Sequence, residues 1–276
     1  YNIGWVGNVE TGGGTKERYL ARLFAMRFTD HSRLAVYGNM NNLNDDRKPG
    51  ENDNWSPSDL FGGLTQQQLG GLDYNIDARS GKYKFSGNAQ VKHADNSIVN
   101  NTNRTNFLAN GDTYDRIVAN NRNHNFSLST DYQFYFEFKN ANLNIKPRFN
   151  YQYYNNKSGY SSLTLNRSFT SFSKAQLDSL YTPMIGRELI RTAINRNLRN
   201  GLSIGHSLEG SVSMESLIKF KHSPDHITLY ADASLRHATE DSFDRNRIDY
   251  YTNGQQSNTD FRNRYFNNRP DHGYSM

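Results

Sequence analysis

The sequence predicts an all-β fold, an antiparallel transmembrane β-barrel segment of about nine or ten strands. Three observations predict it: runs of alternating apolar and polar residues, connections that are short and long in turn, and many aromatic residues in a hydrophilic chain. The 276 residues include 18 Tyr and 16 Phe, although only 35% are hydrophobic. The mean hydropathy is -0.88. An alternating strand needs only one apolar face, so this hydropathy is compatible with a membrane wall.

The N-terminal part is predicted to be extended. Residues 1–10, 18–28 and 33–42 are rich in strand-forming residues, although their alternation is imperfect. Gly12–Gly14 lack the Lys-Ser/Thr ending and the following helix of a phosphate-binding loop. They are therefore predicted to form a glycine-rich loop between two strands.

Six later segments alternate cleanly. The clearest is residues 126–138, where Phe126, Leu128 and Phe134 share one face and polar residues share the other. Soluble strands typically have roughly five or six residues, whereas about 9–11 tilted residues cross a bilayer. The same pattern predicts strands over residues 72–78, 83–92, 143–153, 208–220 and 227–236.

The connections follow a regular rhythm. Short turns are predicted at residues 29–32, 79–82, 140–142 and 221–226. Long polar loops are predicted over residues 43–70, 94–122, 155–205 and from 238 onward, with a short helix around residues 173–179 or 187–198. Short periplasmic turns and long extracellular loops are typical of transmembrane β-barrels, whereas such loops are uncommon in compact soluble domains.

Alternation also predicts the direction of each side chain. The residues predicted to face lipid are Leu72, Ile76, Phe85, Val91, Phe126, Leu128, Phe134, Leu143, Ile145, Val212, Leu229 and Leu235. The residues predicted to line a polar lumen are Asp73, Asn75, Asp77, Lys84, Asn88, Gln90, Lys146, Arg148 and Asn150. Aromatic residues near strand ends suit interfacial girdles, namely Tyr74, Tyr83, Tyr132, Phe149, Tyr151 and Tyr153.

No catalytic motif is recognised, so we expect no enzymatic activity, no cofactor and no metal. The 32 basic and 27 acidic residues are interspersed, which does not indicate nucleic-acid binding. One acidic segment offers oxygen ligands for Ca²⁺, although a solvated loop is the simpler interpretation; it contains Asn44, Asp45, Asp46, Glu51, Asp53 and Asp59. Trp55 there could stack on a ligand or anchor the loop. His222 and His226 flank a turn, which disfavours a zinc site.

Several stretches resemble the barrel region of TonB-dependent-receptor-like outer membrane proteins of Bacteroidetes. They are residues 4–10 (GWVGNVE), 12–19 (GGGTKERY), 22–28 (RLFAMRF), 33–35 (RLA), 39–45 (NMNNLND), 194–198 (INRNL) and 260–263 (DFRN). The resemblance implies that residues 1–276 are part of one outer-membrane barrel domain. A complete receptor barrel has about 22 strands, so a fragment is expected, with a plug and a regulatory domain upstream.

The resemblance also implies a function. It is the uptake of a bulky nutrient, such as a glycan, peptide or metal chelate, across the outer membrane of a Gram-negative bacterium. The implied partners are outer-membrane lipid, a TonB-type energy-transducing protein that acts through the plug, and a surface lipoprotein. Two alternatives remain open: an outer-membrane barrel with a structural or assembly role, and a soluble carbohydrate-binding β-sandwich.

Overall fold

A computed structural model describes residues 3–45, 63–181, 185–221, 224–252 and 255–275. These residues form one ten-stranded sheet in which every strand pairs with its neighbour in sequence. All pairings are antiparallel. Within the described residues, the first and last strands are not paired with each other, so the sheet is open. The predicted all-β antiparallel fold and the number of strands are confirmed.

The strands differ greatly in length. The first four have between 10 and 14 residues, whereas the other six have between 21 and 27 residues. The strands are β1 (Gly4–Gly14), β2 (Arg18–Phe28), β3 (Ser32–Asn41), β4 (Leu64–Asp77), β5 (Tyr83–Asn106), β6 (Thr113–Glu137), β7 (Ala141–Leu165), β8 (Ala193–Lys219), β9 (His226–Thr252) and β10 (Gln255–Ser275).

Short turns connect the strands at one end of the sheet, which we call the turn end. Thr29 N donates to Ser32 O over 2.7 Å, and Phe138 N donates to Ala141 O over 2.8 Å. Gly81 has a φ of +70° in the turn between β4 and β5. Left-handed backbone is most accessible to glycine, so this residue suits the turn. The short turns predicted at residues 29–32, 79–82 and 140–142 are confirmed as connections of this end. The fourth, at 221–226, joins β8 to β9 but includes residues 222–223, which lie outside the described residues.

The predictions of long loops at the opposite, distal end are wrong for most of their residues. Residues 94–122 belong to β5 and β6 apart from the connection at 107–112, and most residues after 238 belong to β9 and β10. Residues 155–205 contain the end of β7 and the start of β8. β4 begins within residues 43–70, of which 46–62 lie outside the described residues. Backbone pairing continues here although polar residues occur on both faces, so the regular alternation that identifies a strand is missing.

The predicted glycine-rich loop is also wrong. Gly12–Gly14 complete β1 and pair with Leu20, Tyr19 and Arg18 of β2. The connection is residues 15–17, where Lys16 and Glu17 have φ values of 60° and 59°. The ladder hydrogen bonds involve only the backbone, so glycine does not prevent pairing here.

The register divides the side chains between two faces, because directly opposed residues point to the same side of an antiparallel sheet. We call a set of opposed residues across successive strands a row. Ile76, Phe85, Phe134, Ile145 and Met214 form one row. Asp73, Asn88, Asp131, Arg148 and Ser211 form another, on the other side. We refer to the apolar face and the polar face accordingly.

A helical segment lies between β7 and β8 at the distal end. It contains α1 (Lys174–Asp178), α2 (Arg187–Ile190) and 3-10 helices at Phe169–Ser171 and Ser179–Tyr181. The helix predicted at 173–179 is confirmed, whereas the one over 187–198 ends at Ile190. Ser173 and Gln176 form a capping box that fixes the start of α1.

The helical segment packs on the ends of β7, β8 and β9 and forms, with them, the distal cap. Its apolar core contains Leu163, Leu165, Leu177, Leu180, Ile185, Leu189, Ala193 and Tyr251. Among the described residues, no helix is long and apolar enough to cross a membrane.

Candidate functional site: the polar face of the sheet

All nine residues predicted to line a lumen lie on the polar face. Asp73 opposes Asn88, Asn88 opposes Asp131, and Asp131 opposes Arg148. Asn150 occupies the next row, opposite Ser129, which opposes Gln90. The other members are Asn75, Asp77, Lys84 and Lys146, each two or four residues along a strand from one of these positions. The alternation of side chains along each strand was therefore sufficient to predict a contiguous polar surface.

A central groove of about 620 Å³ crosses this face. Asn88, Arg148 and Asn150 line it together with residues of β8, β9 and β10. Arg148 Nε lies 2.9 Å from Asp131 Oδ2, and Arg236 Nε lies 3.1 Å from Glu209 Oε1. These ion pairs are largely exposed, so they present both charges to a ligand and add little to stability.

A second groove, of about 460 Å³, lies on the same face near the turn end. Asn75, Asp77 and Lys84 line it, with Gln133 and Tyr135 opposite. Gln133 Nε2 donates to Asn144 Oδ1 of β7 over 3.0 Å. The groove therefore offers hydrogen-bond donors and acceptors, together with positive and negative side chains, near the turn end of the sheet.

The sequence analysis missed a third groove, of about 400 Å³, nearer the distal end. Polar side chains from five strands line it: Asn121, Asn123, Asn156, Ser158, Arg199, Ser203, Ser242, Asp244, Asn263 and Tyr265. Arg199 Nε donates to Asp244 Oδ1 over 3.0 Å. The sequence did contain an indication of this groove. Asn121 and Asn123 continue the alternation that places Ser129 and Asp131 on the polar face, but residues up to 122 were predicted to be a loop.

Two of the calcium candidates have structural roles. Asn44 joins β4 through its amide, which donates to Gly63 O over 2.9 Å and accepts from Thr65 N over 2.7 Å. Asp45 forms an ion pair with Arg22. The carbonyl oxygen of Asp45 accepts from the side chains of Asn41, over 2.7 Å, and Gln67. Asp46, Glu51, Asp53, Asp59 and Trp55 lie outside the described residues.

The described residues contain no group of three or more acidic, histidine or cysteine side chains that could hold a metal. His226 begins β9, and His222 lies outside the described part. The nearest pair of imidazoles is His93 and His124, whose Nε2 atoms are 3.3 Å apart. The grooves of the polar face offer hydrogen-bonding groups and charges of both signs.

All twelve residues predicted to face lipid lie on the apolar face. Phe126 lies in the row His93–Phe126–Tyr153, and the other eleven lie in the rows from Tyr83–Phe136–Leu143 near the turn end to Val91–Leu128–Tyr151. We call the rows from Tyr83–Phe136–Leu143 to Val91–Leu128–Tyr151 the apolar band. Leu229 and Leu235 are 54% and 53% exposed, and others are at least half buried by neighbouring side chains. A contiguous exposed apolar surface of this extent marks contact with an apolar partner or medium.

The predicted aromatic girdle is only partly reproduced. Tyr83 lies at the turn-end boundary of the apolar band, and Tyr151 and Tyr153 lie at its distal boundary. Tyr74, Tyr132 and Phe149 lie within the band. Tyr74 and Tyr132 are neighbours there, with ring centroids 5.9 Å apart. Strand alternation predicted their face, but their depth depends on the register.

No protein-family model matches the sequence, and no curated protein matches it significantly. The functional interpretation therefore depends on the two faces of the sheet.

Proposed function

We propose that the chain forms part of the wall of an outer-membrane β-barrel, with the apolar face toward lipid and the polar face toward the lumen. The observation that carries this proposal is the apolar band. It covers residues 128–136 of β6, close to the about 9–11 tilted residues that cross a hydrocarbon core. The consecutive order of long antiparallel strands supports the proposal, because barrels of this kind are built from sequential hairpins.

The soluble β-sandwich accounts less well for the sheet. A sandwich buries the inner faces of two packed sheets against each other. The described residues form a single sheet, and its apolar face carries exposed Leu, Val and Ile side chains. A hydrocarbon environment would cover that face without a second sheet.

We further propose that the barrel belongs to a TonB-dependent-receptor-like transporter for a bulky nutrient. The three grooves of the polar face support this role, since they offer exposed amides, hydroxyls and charges over much of the sheet. A plug and a TonB-type protein would supply gating and energy. The wall itself would contribute part of the substrate path.

Site-directed spin labelling tests the orientation of the two faces, and the chain has no cysteine to interfere. Nitroxides at Leu128 and Ile145 are compared with nitroxides at their neighbours Ser129 and Lys146, in the full chain reconstituted in lipid vesicles. We expect oxygen to relax the first pair and a water-soluble nickel chelate to relax the second. Equal accessibility to nickel at all four positions, or a monodisperse monomer without detergent, would contradict the proposal.

Transport is tested in the bacterium that makes the protein. Uptake of labelled glycans, peptides and metal chelates is measured after deletion of the gene and after deletion of the energy-transducing protein. We expect both deletions to abolish uptake of the same nutrient. Unchanged uptake of every nutrient together with an altered outer-membrane composition would instead favour the structural or assembly role.

A further inference from the structure

The apolar face changes character at the distal boundary of the apolar band, from its last row, Val91–Leu128–Tyr151–Leu208–His237, onward. Aromatic and imidazole rings follow one another across the strands there, and we call them the ring belt: His93, His124, Phe126, Tyr151, Tyr153, His206 and His237. The centroids of His93 and His124 are 4.6 Å apart, and those of Tyr151 and His206 are 6.4 Å apart. Rings with one apolar and one polar side accumulate where hydrocarbon meets water.

Two cationic rows follow the ring belt on the same face. One runs Ser97–Arg122–Lys157–Leu202–Phe243–Arg264, and the next runs Val99–Asn120–Gly159–Asn200–Arg245–Arg262. Together they contain five basic side chains and no carboxylate. The side chains of Arg122, Arg262 and Arg264 are 65%, 62% and 72% exposed. Lys157 is exposed as well.

Carboxylates in the adjacent rows only partly compensate these charges. Asp95 pairs with Arg122 and Asp241 pairs with Arg264, at 2.6 Å and 2.7 Å. Asp260 pairs with both Arg245 and Arg262. Three carboxylates thus accompany five cations, and the side chains of Arg122, Arg262 and Arg264 remain more than half exposed. A guanidinium that is already fixed by a carboxylate is well placed to donate to a phosphate.

We infer that the cationic rows and the ring belt form a binding surface for the phosphate headgroup of an anionic lipid. This inference rests on the proposed membrane location. The order along the strands is apolar band, ring belt and then cationic rows. It is also the order of hydrocarbon, interface and phosphate layers in a lipid leaflet. The ring belt would hold the acyl–headgroup boundary at its level, so that the headgroup phosphates meet Arg122, Lys157 and Arg264.

The test uses two triple variants of the full chain with the same change in charge. The first is Arg122→Gln, Lys157→Gln and Arg264→Gln, in the cationic rows. The matched control is Lys146→Gln, Arg199→Gln and Arg236→Gln, on the polar face. The proteins are reconstituted in phosphatidylcholine vesicles that contain a minor fraction of spin-labelled phosphatidic acid or spin-labelled phosphatidylcholine. Electron paramagnetic resonance then measures the fraction of motionally restricted label and the relative association constant of the two lipids.

We expect the unmodified protein and the control variant to prefer phosphatidic acid by at least about fivefold, the factor expected for one basic residue near an anionic surface. The variant of the cationic rows should lose this preference while it still restricts both lipids. A restricted component without any preference in the unmodified protein, or an equal loss in both variants, would overturn the inference. No restricted component for either lipid would instead contradict the membrane location itself.

Discussion

At the scale of single residues, the space above a glycine determines where an aromatic ring can lie on this sheet. The ring of Tyr132 in β6 extends over Gly87 in β5 on the apolar face, toward Tyr74. The ring of Tyr37 lies over Gly71 on the polar face, and its hydroxyl accepts from Gln90 Nε2 over 3.3 Å. In both cases a side chain crosses one strand and contacts the strand beyond it, which fixes the local register.

Gly87→Ala should therefore destabilise the sheet. The added methyl group would collide with the Tyr132 ring and lie 2.6 Å from the backbone oxygen of Asp131. We expect a loss of about 1–3 kcal/mol, the usual cost of overpacking. Gly210→Ala is the control, because a methyl group there meets nothing within 4 Å. Urea unfolding of both variants in detergent micelles measures the difference, and equal midpoints would contradict this account.

Asp115 of β6 links the distal ends of β5, β6 and β7 through side-chain hydrogen bonds. It accepts hydrogen bonds from Arg104 and Asn106 of β5, the shortest being 2.6 Å, and from Thr164 of β7 over 2.8 Å. Burial by itself raises the pKa of Asp115, but these hydrogen bonds outweigh it, so the pKa is lowered from its ordinary value of 3.8. The carboxylate form is thus favoured in the folded protein.

Acidification should loosen this junction. Because the pKa of Asp115 is lower in the folded state, its stabilising contribution is complete above about pH 4 and is lost as the pH falls through the folded-state pKa. Hydrogen exchange, corrected for intrinsic rates, should show reduced protection near residues 104 and 115 in acid. Asp115→Asn should lower protection at neutral pH and remove most of this pH response. An unchanged pH response in that variant would assign it to other groups.

At the scale of elements, the sequence predicted the strands wherever one face is apolar. β6 was recognised over residues 126–138, where Phe and Leu alternate with polar residues, but not at its start near Thr113. Its distal half carries residues such as Asn120, Asn121 and Asn123, which also favour turns. That half is stabilised mainly by backbone pairing with β5 and β7, which leaves no hydrophobic period in the sequence.

Hydrogen exchange should distinguish the observed strands from the predicted loops. Every second amide of residues 94–106 should exchange slowly, because it donates to β6. The amides of residues 113–122 should exchange slowly as well, because they donate alternately to β5 and β7. Residues 107–112, which form the connection, provide the internal reference for fast exchange. Rapid exchange throughout residues 94–122 would support the long loop predicted from composition and would contradict the extended hairpin.

The distal cap depends on a buried ion pair. Arg196 and Asp249 have fully buried side chains, and Arg196 Nη2 lies 2.6 Å from Asp249 Oδ2. Arg247 reaches the other oxygen of Asp249 over 2.9 Å, and Arg116 pairs with Asp178 of α1 over 2.9 Å. The helical segment therefore covers charges that each have a partner, which avoids the cost of a lone buried charge.

Removal of one partner should open the distal cap. Asp249→Leu leaves the Arg196 guanidinium buried without its carboxylate, and we expect a loss of about 3–5 kcal/mol. The double variant Arg196→Met with Asp249→Leu should recover much of that loss, because the unpaired charge is removed as well. Proteolysis within residues 166–192, compared among the three proteins, measures opening of the cap. Equal cleavage of the single and double variants would show that the charge is not the cause.

At the scale of the whole molecule, the sequence predicted which face of the sheet each residue lies on better than its depth, which is its position along the strands relative to the apolar band. The alternation of side chains assigned Asp73 and Leu72 to opposite faces without any knowledge of register. Depth follows from how strands are aligned, so Tyr132 was expected near a boundary and is found inside the apolar band. The grooves of the polar face combine residues far apart in sequence, such as Asn88 and Asp271, and no local pattern reveals that proximity.

The strictest test of the apolar band is therefore how the cost of a buried charge changes with its depth in the band. Val212 opposes Pro147 and Ala233 in its middle rows, whereas Leu208 opposes Tyr151 at its distal boundary. In lipid vesicles, Val212→Arg should cost about 2–4 kcal/mol and Leu208→Arg about 0–1 kcal/mol, because the cost of a charge falls toward the interface. Ser213→Arg on the polar face is the control and should have little effect. Reversible urea unfolding measures all three, and equal losses for Val212→Arg and Ser213→Arg would mean that the apolar band does not face hydrocarbon.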